Sequence, residues 1–276
     1  MKTRAITGFF FVIVMLASVL LGHYVFDVFY LVLPLVAIWE FYGLVKQETA
    51  KPNVVLGLVI AALVYGIFTW PQYDPHGNFA FIVIALILII LAVCGILVLE
   101  LFRHTEKPFN NIAFTFMGII YVMMPFIFFH VLAYNTGDIG DFNFHLPLGF
   151  LVMLWANDTG AYLSGYFFGR TKLFERHSPK KTWEGFIGGV LIAAVAGFIF
   201  SRFYTELAWQ HWVIIGVLIG CFGTLGDLVE SMFKRSINIK DSGGILPGHG
   251  GLLDRFDGLF LSAPIVYAYL YFITIS

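Results

Sequence analysis

Residues 79–101 read FAFIVIALILIILAVCGILVLEL, an apolar run with a single charged residue near its end. About 20 apolar residues in a helix span the hydrocarbon core of a bilayer, so this run predicts a transmembrane helix. Eight more runs of comparable length lie on both sides of it. The nine predicted spans are 5–21, 27–45, 54–70, 79–101, 112–133, 146–168, 186–203, 211–233 and 258–275. The short connection between the first two runs leaves open that they form one helix.

The composition agrees with a membrane protein. Charged residues make up 12% of the chain, hydrophobic residues 59%, and the mean hydropathy is +0.87. A soluble domain carries about 25% charged residues, so the composition predicts an all-α, polytopic integral membrane protein. The first run resembles a signal peptide but lacks a small-x-small cleavage site, and we expect it to remain as a helix. Cys94 and Cys221 lie inside apolar runs, which favours packing over a disulfide or a redox pair.

The basic residues predict the orientation of the chain. With the N-terminus in the cytoplasm and the C-terminus outside, 15 of the 16 Lys and Arg residues fall on the cytoplasmic side, and only Arg202 lies outside. The outer connections at 74–78 and 135–141 carry acidic residues and neither Lys nor Arg. Enrichment of Lys and Arg in cytoplasmic loops is the rule that sets orientation. An even number of spans would spoil this alternation, which supports nine.

The connections differ in chemical content. Residues 1–145 have short connections with few functional side chains and predict a packing half. Residues 146–276 carry two long cytoplasmic loops, 169–185 and 234–257, and predict a catalytic half. No paired broken helices mark both halves, as an inverted-repeat transporter would show.

The first polar cluster is WANDTGAYLSGYFFGR at 155–170, within the sixth span. Asn157 and Asp158 share one helical face with Tyr162 and Gly165. Because intramembrane acids face cavities or partners, this face predicts a cavity wall that binds substrate. A structural polar clamp between helices stays an open alternative.

The second cluster is RHSPKKTWEG at 176–185, which leads into the seventh span. Thr182 can cap the next helix, and Glu184 falls in its first turn, where a carboxylate suits the helix dipole. Lys180 and Lys181 offer two cations. They anchor the loop at lipid headgroups or, together with the next cluster, bind phosphate.

The third cluster begins in the eighth span with GTLGDLVESMFKR at 223–235. Asp227, Glu230, Ser231 and Lys234 recur at spacings of three and four and form one polar stripe. Glu230 and Lys234 have the favourable i,i+4 spacing for an ion pair. The stripe opens into a glycine-rich loop whose backbone N–H groups can bind an anion.

Two further acids, Asp254 and Asp257, stand three residues apart at the start of the last helix. Together with Asp227 they predict a hard-cation site, for which Mg²⁺ is the best fit and a second cation is left open. Zinc fits poorly because His249 stands alone without a neighbouring cysteine. His249 is either structural or a donor to a phosphate. The familiar phosphate-loop, kinase and GxSxG motifs do not occur.

Residues 231–257, SMFKRSINIKDSGGILPGHGGLLDRFD, resemble the signature of phosphatidate cytidylyltransferases, also called CDP-diacylglycerol synthases. The matching positions are Ser231, Phe233, Lys234, Arg235, Lys240, Asp241, Gly243, Leu246, Pro247, His249, Gly250, Gly251, Asp254, Arg255, Phe256 and Asp257. SPKKTWEG at 178–185 is similar to a second feature of that family. The resemblance covers about 150–257.

The resemblance implies condensation of CTP with phosphatidic acid, giving CDP-diacylglycerol and pyrophosphate, with Mg²⁺ required. It implies a bacterial cytoplasmic (inner) membrane protein that contacts membrane lipids, has its active site on the cytoplasmic side and binds no nucleic acid; a homodimer is left open. The expected catalytic residues are Asp227, Lys234, Arg235, Lys240, Asp241, His249, Asp254, Arg255 and Asp257. The expected substrate-binding residues are Asn157, Asp158, Ser178, Lys180, Lys181, Thr182, Glu184, Ser231, Gly250 and Gly251.

Three alternatives remain at this point. A related polyprenol kinase or an archaeal-lipid cytidylyltransferase would use a similar membrane site with a nucleoside triphosphate. An ion-coupled transporter would use Asp158 and Asp227 as its intramembrane acids, but it has little need of a long glycine-rich loop. The sequence does not distinguish CTP from dCTP.

Overall fold

The computed structural model describes residues 2–48, 50–74, 79–134, 141–240, 242–244 and 250–275. These residues form nine long helical segments, in agreement with the predicted number of spans. The helices are α1 (Lys2–Leu20), α2 (His23–Glu48), α3 (Val54–Thr69), α4 (Ala80–Phe102), α5 (Pro108–Gly118), α6 (Met124–Leu132), α7 (His145–Phe168), α8 (Trp183–Phe200), α9 (Trp209–Ser236) and α10 (Leu253–Ile275). A π-helical turn at Ile119–Met123 joins α5 and α6 into one segment, and a 3₁₀ turn at Trp70–Gln72 follows α3.

The all-α, polytopic fold is confirmed. Among the described residues, seven helical segments are long and apolar enough to cross a membrane. The first segment has a shorter apolar part, Ile6–Leu20. The sixth, α7, falls outside the seven because Asn157, Asp158 and other polar groups dilute its apolar character. The first two predicted spans are separate helices, since a turn at Gly22, with φ of +98°, lies between them. The orientation of the chain stays a prediction.

A two-stranded antiparallel hairpin departs from the purely helical prediction. Strands β1 (Lys172–Phe174) and β2 (Ser178–Thr182) pair in the loop at 169–185, with Phe174 opposite Ser178. The hairpin ends directly at α8, where the Thr182 hydroxyl accepts a hydrogen bond from the Gly185 N–H at 3.2 Å. The predicted cap is therefore confirmed, and the cap fixes the hairpin to the helix.

The second long loop is shorter than predicted. Helix α9 continues to Ser236, and α10 begins at Leu253, so both polar sequences at the ends of the predicted loop are helical. Hydropathy locates the apolar core of a bilayer, whereas a helix can extend past that core into the headgroup region. Asp254, Arg255 and Asp257 consequently lie in the first turns of α10.

Close packing of helices holds the C-terminal half together. Helices α7, α8, α9 and α10 pack each against the next along the chain. Small residues allow the approach: a side chain at Gly189 would meet Asn157 of α7, and one at Gly220 would meet the backbone of Val190. The polar face of α7 is thereby held against α8 and α9.

Candidate active site

Three carboxylates from three helices meet at the boundary of two cavities. Asp158 of α7, Asp227 of α9 and Asp257 of α10 line both of them. The first cavity has a volume of about 450 Å³. Its walls are Asn157, Asp158, Ala161, Tyr162, Gly165, Tyr166, Leu173, Lys180, Lys181, Thr182, Gly185, Phe186, Gly223, Thr224, Asp227 and Asp257. The four residues predicted to share one face of the sixth span therefore all line this cavity.

The second cavity, of about 350 Å³, has a different wall. Besides the three shared acids it is lined by Asp254 and Arg255 of α10 and by Trp155 of α7. The rest of its lining comes from α1: Thr7, Gly8, Phe11 and Val12. The acids thus lie between a cavity to which the basic hairpin contributes Lys180 and Lys181 and a cavity to which the apolar helix α1 contributes four residues.

Lys181 joins two clusters that lie far apart in the sequence. Its ammonium group lies 2.5 Å from Oδ2 of Asp227. The Ser231 hydroxyl donates a hydrogen bond to Oδ1 of the same carboxylate at 3.3 Å. Asp227 is part-exposed in the cavity, so the hairpin cation and the α9 acid form an ion pair at the wall of a space large enough for a ligand.

Asp254 is held by the glycine-rich loop and by Lys234. Its Oδ1 accepts a hydrogen bond from Lys234 at 2.7 Å, and its Oδ2 accepts from the backbone N–H groups of Ser242 and Gly251, both at 3.0 Å. Lys234 also lies 2.5 Å from Glu230, which is 1% exposed, so the predicted i,i+4 ion pair is confirmed. One lysine therefore compensates two carboxylates on neighbouring helices.

Gly250 and Gly251 keep the loop close to these acids. Gly250 has φ of +83°, a conformation that L side chains rarely adopt, and a side chain there would meet Asp254. A side chain at Gly251 would collide with Glu40 and Ser242. Both glycines therefore allow the loop backbone to lie close to carboxylates. This close approach agrees with the predicted position of the site.

Four further predicted residues that the structure describes, Ser178, Glu184, Arg235 and Lys240, line neither cavity. Glu184 is part-exposed and accepts hydrogen bonds from the backbone N–H groups of Arg170 and Thr171, so it ties the start of the hairpin to α8. Arg235 is exposed and donates to the Ile239 carbonyl at 3.0 Å. Lys240 is exposed and Ser178 lies in β2; neither lines the two cavities. Asp241 and His249 lie outside the described residues.

The donor set at this centre fits Mg²⁺. Asp227 and Asp257 supply carboxylate oxygens to both cavities, and Asp254 supplies them to the second. Mg²⁺ prefers one or two carboxylates with phosphate oxygens and water completing its shell. Within the described residues, no three His, Cys, Asp or Glu side chains converge as a metal site. The predicted ligands Asp227, Asp254 and Asp257 remain the candidates.

Sequence reasoning missed the contributions of α1 and α2. The α1 side chains in the second cavity carry no chemical signal in an apolar run. Glu40 is different, because it is an acid within the predicted span 27–45, and such acids are functional candidates by default. That signal could have identified Glu40. Its carboxylate accepts a hydrogen bond from the Leu253 N–H at the start of α10.

Comparison with known proteins agrees with the resemblance of residues 231–257. Residues 2–273 match the model of the "Cytidylyltransferase family". Among curated proteins, the "Phosphatidate cytidylyltransferase" of Staphylococcus aureus (strain COL) is 35% identical over 96% of this chain and 97% of its own length. The protein of that name from Bacillus subtilis (strain 168) is 31% identical over 97% of this chain and 96% of its own length. The chain belongs to the cytidylyltransferase family and is a membrane-embedded nucleotidyltransferase.

Proposed function

We propose that this protein transfers the cytidylyl group of CTP to phosphatidic acid, forming CDP-diacylglycerol and releasing pyrophosphate for phospholipid synthesis. One observation carries the proposal: the same three acids, Asp158, Asp227 and Asp257, line both a lysine-walled cavity and a cavity walled by α1. A nucleotide suits the first space and a lipid phosphate suits the second. The relatives named phosphatidate cytidylyltransferase support this pair of substrates.

The reaction requires alignment of two anions. A phosphate oxygen of phosphatidic acid attacks the α-phosphorus of CTP, a new P–O bond forms, and the bond to the β-phosphate breaks as pyrophosphate leaves. No covalent enzyme intermediate is needed, so orientation and charge neutralisation supply most of the rate. Repulsion between the two phosphates is the main obstacle, and preorganised cations in a partly dry site offset it.

Different residues bind CTP, orient the lipid phosphate and hold the metal, according to the cavity that they line. Lys180 and Lys181 of the hairpin hold phosphates of CTP in the first cavity. Arg255 lines the second cavity, where it orients the lipid phosphate. Asp227 and Asp257, with Asp254 beside them, would hold Mg²⁺, which neutralises charge on the phosphates when it is bound.

The membrane location follows the same reasoning. A site between basic loops and apolar helices suits the cytoplasmic face of a bacterial inner membrane, where CTP arrives from the cytosol and the lipid arrives sideways. The polyprenol kinase and the transporter are not supported, because the chain belongs to the cytidylyltransferase family. A different lipid acceptor, including an archaeal-type lipid, is left to the test.

The test uses purified protein in detergent with CTP radiolabelled at its α-phosphate. We expect label to enter an organic-soluble product only when phosphatidic acid and Mg²⁺ are both present, with one pyrophosphate released per product. A kinase would transfer the γ-phosphate and leave no label in the lipid. Preference for an ether-linked archaeal lipid over phosphatidic acid would replace the proposed acceptor, and a parallel reaction with dCTP measures sugar selectivity.

A further inference from the structure

We propose that Glu40, in the N-terminal half of the chain, is a positioning residue that sets the start of α10 and thereby the acids carried there. Glu40 is 6% exposed. Its Oε2 accepts a hydrogen bond from the Leu253 N–H at 3.0 Å across 213 residues of sequence. The inference rests on the proposed function, because it takes the acids of α10 to be part of the active site.

The contact satisfies a group that the helix itself cannot satisfy. Leu253 is the first residue of α10, and the N–H groups of a first helical turn have no partner within their own helix. A carboxylate there also interacts favourably with the positive end of the helix dipole. Glu40 therefore caps α10 from another helix and fixes both its position and its rotation.

The second oxygen of Glu40 reaches the glycine-rich loop. Oε1 is buried without a hydrogen-bond partner among the described residues. Side chains added at Gly243 or Gly251 would both meet this oxygen. The Gly251 N–H donates to Asp254 on its other side. The backbone at Gly251 therefore lies between the Glu40 carboxylate of α2 and the Asp254 carboxylate of α10.

Packing beside Glu40 also connects α2 to α9, the helix that carries Asp227. The neighbouring Phe41 stacks on Phe233, with ring centroids 5.0 Å apart, and Phe233 precedes Lys234 in α9. Lys234 bridges to Asp254. Helix α2 thus contacts α9 through an aromatic pair and α10 through a carboxylate, at the level where Asp254 is held.

A role in packing alone does not explain the residue type. Removing a carboxylate from water is unfavourable unless other groups stabilise its charge, so packing alone favours an apolar side chain at this position. Here the acid lies near a second acid, Asp254, which adds repulsion. What the carboxylate uniquely supplies is an acceptor aimed at the first N–H of α10.

The experiment compares Glu40→Ala and Glu40→Gln with Asp27→Asn as the control. Asp27 is a buried acid on the same helix that lines neither cavity. We measure kcat, the KM for CTP, and hydrogen exchange of the segment 242–254 in the full-length protein in detergent. Since a misplacement of about 1 Å can cost roughly 100-fold in rate, Glu40→Ala should lower kcat by about 10- to 100-fold.

Glu40→Gln keeps a carbonyl oxygen for the Leu253 N–H, so its kcat should stay within about fivefold of the unsubstituted protein. Exchange in 242–254 should rise strongly in Glu40→Ala, weakly in Glu40→Gln and not in Asp27→Asn. Unchanged exchange and kcat in Glu40→Ala would overturn the proposal, as would equal losses in the Ala and Gln variants. Failure of the proposed function gives a different result: the unsubstituted protein forms no labelled lipid from CTP and phosphatidic acid, while exchange still rises in Glu40→Ala.

Discussion

Two groups of acids lie on the long helices of this protein, and their surroundings differ. Asp27 of α2 accepts hydrogen bonds from His130 and the Tyr134 hydroxyl, both at 2.7 Å, and lines neither cavity. Asp227 and Asp257 line both cavities, and Asp227 is paired with a lysine of the β1–β2 hairpin. The neighbours of an intramembrane acid therefore decide whether it is a structural residue or a candidate for the active site.

The two groups lie far apart along the same scaffold. Glu40 follows Asp27 on α2 by 13 residues, or about 20 Å at 1.5 Å per residue. The Asp27 group is enclosed by aromatic rings, including Tyr65, whose hydroxyl donates to the Asp27 carbonyl at 3.1 Å. The acids of the catalytic half are instead matched by Lys181 and Lys234. Pairing with lysines therefore distinguishes the acids at the cavities from the Asp27 group.

The largest expected effect comes from removing an acid shared by the cavities. Asp227→Asn keeps the shape of the side chain but removes the charge that faces both cavities. We expect kcat to fall by at least about 1000-fold, as removal of an electrostatic group from a preorganised site does. Formation of labelled lipid in detergent measures it, and the elution volume on size exclusion should not change. Turnover close to that of the unsubstituted enzyme would place Asp227 with the structural acids.

Substitution of Lys234 tests whether its ammonium group holds α9 and α10 together. Lys234→Met leaves Glu230 and Asp254 without their shared partner, and loss of one member of a buried ion pair costs about 3–5 kcal/mol. We expect a lower thermal unfolding midpoint together with loss of most turnover. Lys234→Arg should recover much of the stability. A Met variant with an unchanged midpoint would show that solvent already compensates these acids.

Substitutions of Lys180 and Lys181 test whether these lysines bind substrate or anchor the loop at lipid headgroups. Lys181→Ala should raise the KM for CTP by about tenfold, since a hydrogen bond to a charged group contributes roughly 1.5–3 kcal/mol. Lys180→Ala, which lines the same cavity without a described carboxylate contact, should have a smaller effect. Lys172→Ala on the exposed strand β1 is the matched control. Equal KM values for CTP in all three variants would show that these lysines do not bind CTP and serve only to orient the chain in the membrane.

The smallest effect on activity is expected from a substitution in the Asp27 group. Asp27→Asn should lower the free energy of unfolding by about 1–3 kcal/mol, because it weakens buried hydrogen bonds, and should leave kcat unchanged. Thermal unfolding and turnover on the same preparation measure both. A loss of turnover at unchanged stability would mean that the two groups of acids are coupled.

Much of the site could be predicted because its residues cluster along the chain. Asp227, Ser231 and Lys234 follow helical spacing, and Asp254 lies in the first turn of the next helix, so their neighbourhood follows from local geometry. The hairpin could not be predicted, since its strands are short, polar and without alternation of apolar residues. Asp241 and His249, outside the described residues, stay predictions, as does the orientation.

The sequence by itself determined the number of helices, their approximate ends and the family. A membrane-spanning segment must satisfy its own backbone hydrogen bonds, so each span is specified locally by its run of apolar residues. The tertiary structure alone decided which acids meet which cations, that α1 walls the second cavity, and that Glu40 reaches Leu253. Helices that are apolar on every side do not specify their rotation, and only packing against their neighbours aims their few polar side chains.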